Sequence, residues 1–575
     1  MTDYYDLGRY HRPVTTAHPE AQIWCDRGLI WSYGFHHEES AACFRRAIAA
    51  DPDCAFARWG LAYALGPNYN KPWEAFDDAD LTDTVAITHA AARTAKSAAG
   101  ASEVERALAE ALTHRYPAET PIGDGAACSI WNAGYADAMR AVQRRFPDDP
   151  DIAALTADAL MNLTPWQLWN QRTGQPADGA ATLEAQRILE RALAAPGGRE
   201  HPGLLHFYIH LMEMSAHPES ALWAGDALRE LVPDSGHLRH MPTHLDVLCG
   251  DYRSVVRDNI AAVAADEKYR AAAGATNFYT LYRCHDYHFL VYGAMFAGQS
   301  AVALKAAEDL VAAIPDDLLR VTQPPMADWL EGFLSVRLHV LIRFGRWAEV
   351  IATPLPADPE WYCVTTAMTH YARGVAHAAT GDVESAAAER EAFAAAVTRV
   401  PESRTLFNNT CRDILAVAGA MLDGELEYRR GNVEEAFAHL RRSIELDDTL
   451  PYDEPWGWMQ PTRHAYGALL LEQGRVADAE AVYRADLGLS DALPRACRHP
   501  GNVWSLRGYH ECLVRLGKSE AASIIAQQLE LAAATADVPV TVSCLCRLGA
   551  VTSDPAGARA GCGCGHDPAE CHCHG

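Results

Sequence analysis

Three things are scarce in this 575-residue sequence, and each scarcity removes a class of protein. Long apolar runs are missing: no stretch approaches the ~18 apolar residues of a membrane span. The opening residues 1–13, MTDYYDLGRYHRP, have neither a basic start nor an apolar stretch, so they do not read as a secretory leader. The expectation is a cytoplasmic chain with no membrane partner. Basic residues are outnumbered, 49 Lys and Arg against 75 Asp and Glu, for a net charge of −26. That field repels phosphate backbones and anionic lipid, so no nucleic-acid partner is expected, and neutral or cationic small molecules and metal ions suit it better. Alternating β-branched runs are few, which argues against a sheet domain.

What the sequence has in abundance is helix-forming pattern, rich in Ala, the best helix former. The helices repeat. In GLIWSYGFHHEESAACFRRAIAADP, Gly28, Ser40, Phe44, Ala47 and Pro52 put small residues where paired helices cross and a large ring sixteen positions after the Gly. The offsets return as Gly424, Ala436 and Leu440, and as Gly467, Ala479 and Tyr483. A weaker copy starts at Gly374, with Ala386 in place but Arg390 where a large apolar residue belongs. Gly250, Gly381, Gly431 and Gly474 mark turns between the helices of a pair. These residues resemble the tetratricopeptide-repeat (TPR) family, whose period is ~34 residues. The resemblance implies an all-α solenoid, a superhelix of stacked antiparallel helix pairs with a concave groove that holds peptides. The expected organisation is an N-terminal arm over 1–20, a continuous superhelix over 21–550 and a tail over 551–575.

The centre, residues 201–290, holds more than a scaffold needs, with nine His between His201 and His288. In GLLHFYIHLMEMS, residues His206, His210 and Glu213 stand at i, i+4 and i+7, one face of a helix. His217 follows just before Pro218, at the cap of the next helix. In HLRHMPTHLDVL, His237, His240 and His244 share a face, with Pro242 placed to kink it. In FYTLYRCHDYHF, His285 and His288 are three apart, with Cys284 adjacent. Three successive first helices thus carry imidazole stripes at repeat spacing. Side by side they converge to ligand distance, and zinc or copper takes three or four such donors. The seven striped His are the expected metal ligands. Glu213 is open to three roles, as ligand, orienting partner or general base, and Tyr282 is a candidate catalytic phenol.

A later group comprises His464, Cys497, His499, Arg507 and His510, surrounded by Trp456, Trp458 and Trp504. It reads either as an enclosed pocket facing the same groove, with Arg507 catalytic, or as an aromatic core with polar loop ends. The thiol pair Cys544 and Cys546 stands near the end of the helical part as a further ligand candidate. The tail packs Cys562, Cys564, His566, Cys571, His572, Cys573 and His574 into thirteen residues. Gly and Pro between them prevent a helix, and the CxC and CHCH spacings suit chelation of Zn²⁺ or Cu⁺.

The strings HMPTHLDVLCGDY, FYTLYRCHDYHF, MNLTPWQLWN and PYDEPWGWMQPTRH resemble a family of long TPR proteins of bacteria and fungi, over nearly the whole chain before its last 25 residues. That resemblance implies the architecture and leaves the chemistry open. From the residues, the expected function is a metal-dependent enzyme with one or two transition-metal ions, copper before zinc or iron. The expected activity is oxidation of a small molecule, with zinc-type hydrolysis as a variant. The alternatives are a peptide-binding scaffold and a protein that stores or transfers metal.

Overall fold

The computed structural model describes residues 4–547, and the tail ligands proposed above lie outside the described residues. The described chain is all-α. Antiparallel pairs such as Pro19–Tyr33 with His37–Ala50, Cys363–Thr380 with Val383–Val397, and Cys411–Arg430 with Val433–Asp447 follow one another along it. Thr462–Glu472 with Val476–Asp486 and Val503–Arg515 with Ser519–Ala532 continue the series. The four turn glycines all adopt left-handed backbone, with φ from 73° at Gly474 to 87° at Gly381, a conformation that a Cβ penalises.

The repeat spacing has a direct packing cause. The Phe44 ring fills the space left by two glycines: a Cβ on Gly28 would come within 2.8 Å of it and one on Gly60 within 2.2 Å. Tyr483 does the same between Gly467 and Gly508, at 2.4 and 2.3 Å. Leu440 covers Gly424 at 2.7 Å. The large side chain of each second helix therefore replaces a missing Cβ on its own first helix and, for the two aromatic rings, on the next one. In the weak copy the arrangement changes. Gly374 is covered by Leu422 instead, and Arg390 turns to pair with Asp423.

Two apolar cores run through the molecule. One draws on residues from Leu7 to Leu245, joined by Tyr269, Tyr279 and Tyr282. The other begins at Val247 and reaches Cys546. They meet on two helices, Pro242–Cys249 and Thr280–Phe296, each of which contributes to both. The chain then folds back on this junction. Trp504 donates its indole N–H to the Met295 carbonyl at 2.8 Å, Arg495 bonds the Leu248 carbonyl at 2.7 Å, and the Asp537 carboxylate accepts from the Ser300 amide at 2.6 Å. Among the described residues the only paired strands are Thr405–Leu406 and Asn409–Thr410, a tight antiparallel hairpin with Thr405 opposite Thr410. No helix among them is long and apolar enough to cross a membrane.

Gly467→Ala and Gly508→Ala are each expected to lower unfolding stability by about 1–3 kcal/mol, the usual cost of forcing a methyl into a filled core. Gly100→Ala, where a Cβ meets nothing within 4 Å, is the control. Equal thermal midpoints for all three variants would contradict the packing rule.

Candidate metal centre

The helix Pro202–Glu213 starts cleanly because Pro202 fills its first turn and the His201 ring accepts the Leu204 amide at 3.1 Å. It carries His206 and His210 inward, both fully buried. Pro242 splits the next segment into two short helices, Gly236–His240 and Pro242–Cys249, without separating their histidines. Helix Thr280–Phe296 brings His285. These elements place six imidazoles in one buried chain of rings at the meeting of the two cores.

The six fall into two trios, each with ligand atoms mutually within 4.8 Å: His206, His210 and His237, then His240, His244 and His285. Within the second trio Nε2 of His244 lies 2.7 Å from Nε2 of His240 and 3.2 Å from Nε2 of His285. The trios adjoin, with ring centroids of His210 and His244 5.8 Å apart and those of His237 and His240 6.0 Å apart.

The outward nitrogens are anchored. His206 Nδ1 donates to the Tyr33 carbonyl at 2.5 Å, and His240 Nδ1 to Asn259 Oδ1 at 2.6 Å. Glu213 serves both trios, taking His210 Nδ1 on Oε1 at 2.9 Å and His244 Nδ1 on Oε2 at 2.7 Å. A neutral imidazole has one N–H, so His206 and His240, whose Nδ1 atoms donate to amide oxygens, turn their Nε2 lone pairs inward, while the tautomers of His210 and His244 follow the proton they share with Glu213. Nε2 of His206, Nε2 of His210 and both nitrogens of His237 are buried without a hydrogen-bond partner, as is Nδ1 of His285. At 2.7 Å the Nε2 atoms of His240 and His244 hold either one proton or one cation between them. Ligands at the usual ~2.0–2.1 Å from a tetrahedral ion stand roughly 3.3 Å apart, which the 3.2 Å between His244 and His285 matches. The residues present therefore fit an N-ligated transition metal, and each ring has the hydrogen-bonded partner or packing that fixes its orientation.

Burial keeps these rings neutral. It holds the pKa of His206 down at about 3 and that of His240 at about 4. Burial, reinforced by neighbouring imidazoles, holds His210, His237, His244 and His285 well below the ordinary value. The carboxyl of Glu213 is driven the other way, well above its usual range, first by burial and then by Glu454. Glu454 Oε2 lies 2.5 Å from the same His244 Nδ1, so the two carboxyls and that ring share protons at one point. Asp286 stands 3.4 Å from His240 Nδ1.

The backbone is strained around this chain of rings. Among the described residues three non-glycine positions have positive φ: Phe35 at 54°, Trp166 at 59° and Phe407 at 48°. All three press aromatic rings on the imidazoles. Phe35 lies 4.6 Å from His206 and 5.4 Å from His210, Trp166 6.1 Å from His210, and Phe407 5.0 Å from His285. Each such conformation costs ~1–3 kcal/mol, and strain of this kind gathers where the surrounding structure enforces a functional geometry. A cavity of about 300 Å³ opens over His210, His237, His244 and His285. It is lined also by Tyr282, Trp166 and Phe407.

Other expected members stand elsewhere. His288, although on the same helix as His285, is turned toward Met459, its Nε2 3.1 Å from the thioether, and packs beside Phe333. His217 is largely exposed and faces Glu219. Cys284 is a buried core thiol, its pKa raised to about 12 by burial. The later constellation is a separate, satisfied network around the buried Asp486. That carboxylate receives His464 at 3.1 Å, His499 at 2.9 Å and the Ser505 hydroxyl at 2.6 Å, tying three helices together. Arg507 donates to the Thr541 carbonyl rather than lining the cavity, Cys497 lies against the Asp448 carbonyl, and His510 is half-buried on Val503–Arg515. Cys544 and Cys546 lie against each other and are not among the ligand groups of the trios.

Sequence reasoning passed over Glu454 and the hairpin. Asn408 and Asn409 bond Tyr452 and Asp453, both at 3.0 Å, fastening the hairpin to the loop that carries Glu454. The acidic pair before Pro in DEPWGW was the available signal.

Fold and site define a TPR-type array of helix pairs with a buried polyhistidine centre. No family model matches the chain, and no curated protein matches it. Solved structures it is similar to include Naa15/Naa10 bound to HypK-THB, at 14% identity over 89% of this chain and 70% of that one, TM-score 0.21. The APC/C hetero-tetramer Cut9–Hcn1 aligns at 10% identity over 89% and 87%, TM-score 0.29. The P58(IPK) TPR domain aligns at 15% identity over 74% and 99%, TM-score 0.16. At such scores these likenesses carry no argument about this chain, and the helix pairing itself carries the fold.

Imidazole resonances of the metal-free protein provide a test of the buried rings. With His side chains isotopically labelled, His206 and His240 are expected to remain neutral at pH 5.5, because their lowered pKa values place protonation more than a unit further down. Protonated signals from these rings at that pH would show that water reaches them.

Proposed function

We propose that the two His trios bind a pair of transition-metal ions, copper before zinc or iron, and that the chain is an oxidoreductase acting on a small molecule in the cavity above them. The observation that carries this reading is the packing of six buried, neutral imidazoles: Nε2 of His206, His210 and His237 have no hydrogen-bond partner, and those of His240, His244 and His285 face one another. Imidazole-only sets suit copper and zinc, whereas Mg²⁺ and Ca²⁺ require oxygen. Glu213 also groups with His210 and His244 at ligand distance, the kind of set that iron and hydrolytic zinc would favour, but its two oxygens already face the Nδ1 atoms of those rings. Copper held by imidazoles supplies electron exchange with dioxygen, the oxidant of this reading. The chain's own part is to orient four of the rings through their Nδ1 atoms, to exclude bulk water, and to keep the Glu213–Glu454 pair in contact with His244. In this reading Glu213 positions the rings of both trios, and Tyr282 stands in the cavity wall.

A second reading, a protein-binding scaffold, is favoured by another observation. Val514, Ile524 and Leu531 on the helices Val503–Arg515 and Ser519–Ala532 are 57%, 60% and 69% exposed, leaving apolar surface at that end of the array. The small size of the central cavity does not favour a peptide there.

Elemental analysis separates the readings. Two equivalents of metal are expected in purified protein, with His206→Ala and His285→Ala each removing one while the helical circular dichroism is kept. Glu213→Gln is expected to weaken both sites by about 10–100-fold, the usual effect of losing a partner that orients a ligand. Metal-free protein after reconstitution with copper and with zinc would leave the scaffold reading alone.

A further inference from the structure

Behind the cavity above the trios lies a second chamber of about 370 Å³, and the two share a wall of Phe278, Tyr282 and Trp329. Their linings differ in kind. The inner chamber is mainly aromatic: Trp166, Phe278, Trp329 and Phe407 are only half-buried and line it, and its one carboxyl, Asp453, accepts from the Asn409 amide and is pushed toward its neutral form by burial. The outer chamber is lined by three carboxylates, Glu38, Asp77 and Asp80, against one ammonium, Lys71. Lys71 is already paired with Asp80 at 2.5 Å. Glu38 accepts the Phe278 amide at 3.2 Å and Asp77 caps the helix Asp78–Ser97, which leaves each carboxylate further lone pairs. The shared wall is suited to a cation as well: Lys71 Nζ stands 5.4 Å from the Phe278 ring centre, within cation–π range.

From these two linings we infer the substrate class: a small arylalkylamine, its aromatic ring in the inner chamber over His210, His237, His244 and His285 and its ammonium at the acidic outer chamber. The inference rests on the proposed function for its reacting centre, but its recognition elements are separate from the trios. An aromatic ring finds edge and face partners in the exposed ring surfaces, worth ~0.5–1.5 kcal/mol per pair beyond area burial. In this inference the short alkyl chain lies along the edge where the two chambers adjoin, at Phe278 and Trp329. The ammonium then lies in a field of net charge −2 from the four charged lining groups. A carboxylate at the same place would be repelled, and a saturated ring would lose the aromatic partners.

The test measures tryptophan fluorescence of the purified full-length protein titrated with 2-phenylethylamine, 3-phenylpropionate and 2-cyclohexylethylamine, with metal content determined on the same samples. Phenylethylamine is expected to bind at least about 10-fold more tightly than either analogue. Trp329→Leu is expected to weaken the amine and erase its advantage over the saturated ring. Lys71→Met is expected to strengthen the amine and weaken the carboxylate further. Equal or tighter binding of the carboxylate, equal binding of the saturated amine, or no binding of the three overturns the inference. Amine preference in protein that stays metal-free after reconstitution with copper and with zinc would sink the metal reading and leave this one standing; bound metal without amine preference would do the reverse.

Discussion

The structure turns on buried imidazoles that are kept neutral and aimed by the atoms behind them. Placing six such rings between two apolar cores is costly, because an unmatched polar nitrogen in a dry interior loses its hydration without recompense. The molecule meets part of that demand from outside the chain of rings, with the Tyr33 carbonyl, Asn259 and Glu213 each taking an Nδ1 proton. The inner nitrogens are left facing one another.

The same seam explains why the surrounding elements look irregular. The repeat rule of a large side chain over missing Cβ atoms holds at both ends of the chain, around Phe44 and around Tyr483. Near the histidines it gives way to short helices broken at Pro242, a two-residue hairpin and three aromatic residues in left-handed backbone. Local regularity is sacrificed where geometry of another kind is enforced. The folded-back segment beyond residue 450 closes the seam with Glu454.

Periodicity made the helix pairs and their turn glycines legible, since each repeat unit states its own packing through small and large positions. Five of the six converging histidines were legible as stripes for the same reason, and His285 through its place in the third. The sequence misled at His288 because its place depends on tertiary neighbours: the spacing that keeps His237 and His240 in the chain of rings here leaves the second ring against Met459 and Phe333. His464 and His499 carry donor atoms like those of the centre, but the buried Asp486 claims them, and that pairing depends on tertiary contact. Glu454 and Phe407 belong to loops with no period, so nothing in their spacing announced where they would dock.

The position of Glu454 has a consequence for how the molecule comes together. During synthesis the N-terminal portion emerges first and can begin to pack as a unit. It brings all six imidazoles and Glu213 with it, while the segment that bears Glu454 follows much later. Until that segment arrives the rings lack their cover and stand open to solvent. Afterwards access narrows to the chambers. For the metal ions of the proposed reading, entry into the nascent chain and entry into the finished protein would therefore be different kinetic problems, the first limited by encounter and the second by the opening of a closed door.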